Sequence, residues 1–162
     1  MSVYQISVFL ENRAGQLAEI TGDLAGQGVD LRAISIAEAS DYGVLRLIVD
    51  DTAKAAAALQ DRNYVYSMTP VLVVSVDDAV GGLAPVLAML AKAQIDIEYM
   101  YSLFTHQDGK AYMVFRTTDE KKFVEQLETH GMAPVTKEEL GLKYQIRMQP
   151  LRRMIRRRGY FN

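Results

Sequence analysis

The chain of 162 residues has no cysteine, two histidines, four prolines and no apolar run long enough to cross a bilayer. Without cysteine, disulfides, thiolate catalysis and thiolate-held zinc are excluded. The histidines, His106 and His130, fall beside a hairpin turn and near a helix end, with no hydroxyl nucleophile and carboxylate at a recognisable spacing. Both read as solvated surface. No glycine-rich phosphate loop is present, and the acidic pairs Asp50-Asp51 and Asp77-Asp78 stand at strand ends without calcium-loop spacing, so no metal or cofactor is expected. Few prolines, 49% hydrophobic and 23% charged residues describe a folded chain without long disordered stretches. The opening Met1-Ser2-Val3-Tyr4 lacks the basic start and apolar stretch of a signal peptide, so a cytoplasmic location and no transmembrane segment are expected.

What is present is a duplication. Sliding Ile6 to Val49 by 66 residues onto Leu72 to Phe115, without a gap, superimposes Gly15 on Gly81, Leu17 on Leu83, Leu24 on Leu90, Asp30 on Asp96 and Gly43 on Gly109. Matches at turns and helix faces mark a structural repeat. The charge is divided differently. Residues 1–142 carry 11 Lys and Arg against all 20 acids, whereas 143–162 carry seven basic residues and no acid. Three units are therefore expected: a module over 1–68, a second over 69–142 and a basic tail over 143–162.

Within the first copy, Val3 to Leu10 alternates as a strand, and from Leu17 the period changes to that of a helix ending near Gly28, where a left-handed residue fits. Leu31 to Ala39 and Val44 to Val49 read as a hairpin turning at Tyr42-Gly43. Asp51 or Thr52 caps a helix over Ala53 to Gln60, and Tyr64 to Tyr66 closes the module as a short strand. The second copy reads as strand Val71–Val76, helix Leu83–Ala93, strands Asp96–Thr105 and Lys110–Thr117, helix Asp119–His130 and a weak strand near Met132–Val135. The order is βαββαβ twice: an α+β chain of two ferredoxin-like modules, each an antiparallel sheet with helices on one face. Modules this small have an uncovered sheet face and must pack on each other or on a second chain.

The loop between first strand and first helix carries the most specific local signal. Glu11-Asn12-Arg13-Ala14-Gly15-Gln16-Leu17 and Asp77-Asp78-Ala79-Val80-Gly81-Gly82-Leu83 each place Asn or Asp three residues before a glycine that opens a helix. Two readings stay open. Asn12 and Asp78 cap the helices while the glycines serve the turn, or the free amides of the helix start hold a carboxylate and the polar side chain takes an ammonium.

These loops, with the exits Gly28-Val29-Asp30-Leu31 and Ile95-Asp96-Ile97, resemble the ACT domain over about residues 3 to 140, in two copies, and in particular the stand-alone tandem ACT proteins, where Ile97-Glu98-Tyr99-Met100-Tyr101-Ser102 is similar to a recurrent stretch. The resemblance implies a regulatory, non-catalytic protein that binds an amino acid or similar small acid where modules meet. Carried over residue by residue, it implicates Asn12, Ala14, Gly15, Gln16 and Leu17, with Asp78, Gly81, Gly82 and Leu83 opposite and Ser35, Tyr99 and Tyr101 completing the wall. Plain interface packing is the alternative for the tyrosines. The family's usual proline before the loop glycine is replaced by Ala14 and Val80, and Arg13 and Gln16 become Ala79 and Gly82 in the second copy, so the two loops are not equivalent sites.

A homodimer with ligand bridging modules is the expectation. The rival from another class is an interaction scaffold with vestigial sites; a weaker third is an enzyme subunit without a visible active site. Pro150 to Gly159 reads as a short basic amphipathic helix that docks on the acidic body or binds RNA, an anionic membrane or an acidic protein.

Overall fold

A computed structural model describes residues 3–11, 13–38 and 42–143 of the chain. The helix expected over 150–159 and its docking lie outside them. In chain order the elements are β1 (Val3–Glu11), α1 (Gln16–Gly26), β2 (Leu31–Glu38), β3 (Tyr42–Val49), α2 (Thr52–Asp61), β4 (Tyr66–Asp77), α3 (Ala84–Lys92), β5 (Ile97–Gln107), β6 (Lys110–Thr117) and α4 (Glu120–Thr129). The repeat therefore folds as two ferredoxin-like units. Gly28 is left-handed at φ 67°, and Asp51 caps α2 by accepting from the Lys54 amide at 3.0 Å.

Three details differ from the sequence reading. Tyr42 and Gly43 are not the turn but the start of β3, opposite Glu11 and Leu10 of β1. Met132–Val135 forms no strand, although the Val135 amide donates to the Val73 carbonyl at 2.8 Å. Most consequential, of the short strand expected at Tyr64–Tyr66 only Tyr66 is in a strand, and it runs without a break into Val71–Val76, so the boundary between 68 and 69 falls inside β4.

β4 changes partner along its length. Tyr66 to Val71 pair antiparallel with β1, from Tyr66 opposite Val8 to Val71 opposite Val3; Leu72 to Asp77 pair with β6, from Leu72 opposite Phe115 to Asp77 opposite Lys110. One six-stranded sheet results, in the order β2-β3-β1-β4-β6-β5. Pro70 sits at the changeover, which a residue lacking an N–H tolerates because each half of β4 is a sheet edge on one side.

Pleat alternation then sorts the side chains. On one face of the first unit Ile6, Val8, Leu10, Leu45 and Leu47 pack beneath Ile20 and Leu24 of α1 and Leu59 of α2; on the matching face of the second, Val74, Val76 and Phe115 pack beneath Leu90 of α3 and Phe123 and Leu127 of α4. Each such buried side chain contributes about 1.5–3 kcal/mol.

The helix-free faces meet each other. Val3, Ala33, Ile48, Val71, Val73, Leu103 and Val114, drawn from all six strands, form a single inner core. The sheet folds over on itself, bringing β2 against β5, the two ends of the strand order. The uncovered faces are thus covered within the chain. Gln5 is fully buried in this layer, donating to Ser7 Oγ and to the Tyr99 hydroxyl at 2.9 Å each while accepting from the Tyr101 hydroxyl at 2.7 Å. Arg46 lies over the Tyr99 ring, 3.9 Å from its centroid.

One end of the inner core is plugged by Val135, Leu140 and Leu142, the last two on a turn braced by Thr136 and Glu139 side chains. Asp50 anchors Lys143, the residue after this plug. Its carboxylate accepts from the Asp30 amide at 2.9 Å and lies 3.1 Å from Lys143 Nζ, and its carbonyl accepts from the Lys143 amide at 2.7 Å. Burial opposes ionisation of Asp50, but the Asp30 amide, Lys143 and the Asp51 amide outweigh it and hold the carboxyl below its ordinary value. A carboxyl with a lowered folded pKa stabilises the fold above its unfolded value of about 3.9, and the contribution fades as pH falls through the folded value. Asp50→Asn is therefore expected to lower stability by about 1–2 kcal/mol at neutral pH. The difference from wild type should shrink in urea titrations below about pH 4.

Candidate functional site

Loop 1, between β1 and α1, begins where the apolar alternation of β1 ends. Gly15 turns the chain with φ 87°, a value that disfavours any side chain, and α1 starts at the next residue. The first amides of an α-helix have no acceptor within the helix, and Gly15 offers no side chain to them. Arg13 lies back over α1, with Nη2 2.7 Å from Glu19 Oε2 and Nη1 3.2 Å from Glu19 Oε1. That paired hydrogen bond raises the Arg13 pKa and lowers that of Glu19.

Two cavities open on this loop. The first, about 320 Å³, lies between loop 1 and the β2–β3 hairpin, lined by Leu10, Gln16, Leu17, Ile36, Glu38 and Tyr42 among others. The second, about 590 Å³, lies between loop 1 and the end of α2, lined by Arg13, Gln16, Glu19, Asp23, Arg62 and Tyr64 among others. Across its floor Arg62 Nη2 is 3.0 Å from Asp23 Oδ1. Burial, and then Asp23 and Glu19, push the Tyr64 phenol up, so it stays a hydroxyl donor at neutral pH.

Gln16 belongs to both cavities. The residue is 7% exposed, and its Oε1 is covered with no hydrogen-bond partner among the described residues. A buried acceptor left unpaired costs about 1–3 kcal/mol.

Loop 2, between β4 and α3, has a different design. Asp78 Oδ2 meets His106 Nδ1 at 3.0 Å, Asp77 pairs with Lys110, and the Asp78 amide donates to the Gly109 carbonyl at 2.8 Å. Gly82 folds so tightly against the preceding strand that a Cβ there would lie 1.9 Å from the Asp77 carbonyl oxygen. Asp78 is thus engaged by the neighbouring hairpin and not by the helix start.

Of the residues singled out in the sequence, the structure brings Gln16 and Leu17 into a cavity, with Gly15 and the exposed Ala14 forming its turn. Asn12 lies outside the described residues. Asp78, Gly81, Gly82 and Leu83 are not opposite loop 1 within the chain: β1 and β4 are antiparallel, so loop 1 follows β1 at the Tyr66 end while loop 2 leaves β4 at Asp77. Ser35 faces Arg46 on the inner face of the sheet, and Tyr99 and Tyr101 bond Gln5 in the inner layer. Glu38, Tyr42, Arg62 and Tyr64 went unnoticed in the sequence because the α2–β4 connection and the far end of the hairpin reach loop 1 only through the strand order. The charge of Arg62 just after the alanine-rich helix was the one available signal.

The comparisons with known proteins agree with this architecture. A solved protein from Bacteroides thetaiotaomicron is 37% identical, with a TM-score of 0.78 over 87% of this chain and 96% of that one. The ligand-free regulatory subunit of aspartate kinase from Thermus thermophilus shares the fold at 14% identity, with a TM-score of 0.60 over 80% of this chain and 93% of that one. The corresponding subunit from Thermus flavus gives 16% identity and a TM-score of 0.51 over 71% and 83%. No curated protein sequence matches the chain. Residues 1–142 match the family described as an ACT domain pair, and with two units joined in one sheet, four outer helices and glycine-bearing loops in the same span, the chain belongs to that family.

Proposed function

We propose that this ACT domain pair is a cytoplasmic regulatory protein that binds an amino acid or similar small acid at loop 1, working as a homodimer. The observation that carries this reading is Gln16, a buried side chain that lines both cavities at the start of a glycine-opened helix and whose Oε1 has no partner among the described residues. A ligand carboxylate would meet the amides of α1, and a ligand N–H would relieve Gln16 Oε1. Modules 1–68 and 69–142 would then serve unequally, loop 1 as receptor and loop 2 as a closed structural turn, with 143–162 as a separate basic element. Phe9, Ile36 and Tyr42, 47%, 50% and 49% exposed, stand near the first cavity, and a second copy covering them would seal the ligand at an interface. Binding that favours the assembled form is how a site without chemistry signals.

A thermal-shift screen of the twenty amino acids tests this. A selective hit should stabilise the protein by about 2.7 kcal/mol at a hundred times Kd. Gly15→Val should abolish the shift while Ala79→Val in loop 2 leaves it intact. Silence towards every amino acid would favour the scaffold reading instead.

A further inference from the structure

We infer that the loop 1 cavities select a guanidinium or ammonium group, and that the ligand is therefore cationic; this rests on loop 1 being the ligand site. Four carboxylates line the two cavities, those of Glu11, Glu19, Asp23 and Glu38, against two cations, Arg13 and Arg62. Both arginines are already taken, Arg13 by Glu19 and Arg62 by Asp23. Glu38 has no ion pair among the described residues, and Glu11 has only a 3.8 Å approach to Arg13 Nε. Two negative charges are left over. Gln16 lines both cavities, and its Oε1, without a partner among the described residues, adds an acceptor that only an N–H or O–H can satisfy. A planar guanidinium offers five donors in a fixed fork, enough to meet Gln16 and a carboxylate together. An acidic ligand side chain would face the excess carboxylates instead.

The same chemistry has two sources: a free basic amino acid, or the chain's own Arg152, Arg153, Arg156, Arg157 and Arg158. The second is within reach. Lys143 is tied to Asp50 just past the end of β3, and the eight residues of β3 place loop 1 about 25 Å away. Nine residues from Lys143 to Arg152 span up to about 30 Å when extended.

Calorimetric titration of full-length protein with arginine, lysine, glutamate and leucine decides the matter, alongside Glu11→Gln with Glu38→Gln, and a variant with the five tail arginines changed to glutamine. Arginine or lysine should bind at least about tenfold tighter than glutamate or leucine, and the double glutamine variant should lose about threefold to tenfold of that affinity. If the tail competes for the site, its neutralisation raises the affinity for free arginine; if affinity is unchanged, the free amino acid is the sole source. Tighter binding of glutamate or leucine, or cation binding indifferent to Glu11 and Glu38, overturns the inference and leaves an amino-acid site standing. Silence towards all four ligands in every variant overturns the inference; only silence across all twenty amino acids would overturn the proposed function as well.

Discussion

Replacing Gly82 with valine is expected to lower the unfolding free energy by about 3 kcal/mol or more, among the largest effects of any position outside the buried cores. The cause is backbone against backbone. A Cβ at residue 82 would fall 1.9 Å from the Asp77 carbonyl oxygen and 2.8 Å from its carbon, and neither can swing aside like a flexible side chain. Relief requires moving the end of β4, which is held by Lys110 opposite Asp77, or unwinding the entry to α3. Alanine carries the same Cβ and should cost nearly as much. Urea unfolding of Gly82→Ala and Gly82→Val checks this, with Gly22→Ala in α1, where a Cβ meets nothing within 4 Å, as the control expected to be neutral or stabilising. A Gly82→Ala midpoint equal to wild type would show that loop 2 yields freely. The inequivalence of the two loops would then lose its structural basis.

The second large effect is expected at Gln5. Changing it to leucine removes the partner of two tyrosine hydroxyls in the inner core, where burial, with lesser help from Tyr99, already pushes the Tyr101 phenol far above its ordinary value. Leaving both hydroxyls unpaired costs about 2–4 kcal/mol, on the scale of about 1–3 kcal/mol for each buried polar group. The diagnostic is recovery. Gln5→Leu combined with Tyr101→Phe should regain part of the loss, because an apolar pair leaves less unmet polarity than a lone hydroxyl. A strictly additive double variant, measured by the same urea titrations, would mean that the network contributes through shape alone.

Much of the fold was legible because the repeat is written in residues that backbone geometry selects. Gly15 and Gly81 both have positive φ and both precede helices, and Leu24 and Leu90 both fill helix-facing cores, so the 66-residue offset maps one βαββ unit onto the other. The joining of two strands into β4 was not legible. Thr69-Pro70 between them reads as a break, and only the change of partner from β1 to β6 explains why a proline is tolerated there. Met132–Val135 did not become a strand although the second half of β4 has an open edge: the segment reaches it through one bond, from the Val135 amide to the Val73 carbonyl, and Val135 then turns inward to plug the core.

At loop 1 the sequence placed Gly15, Gln16 and Leu17 together, because a turn and the first helical turn are local. Glu38, Arg62 and Tyr64 are separated from them by whole elements. Their arrival depends on β3 lying beside β1 and on α2 returning beside α1. The tyrosines of β5 were legible as partners of another surface but not of which one. Alternation shows that Tyr99 and Tyr101 share a face; it does not show that the sheet closes over that face within the same molecule.

The shared strand has a mechanical outcome. Two lobes strung on a flexible tether can swing apart about a hinge, but here the tether is itself a rung of both ladders, with no pivot between them. Motion triggered at loop 1 would have to travel as torsion along β4. It would emerge at the seam where β2 and β5 lie together without sharing a ladder, as a widening or narrowing of that gap.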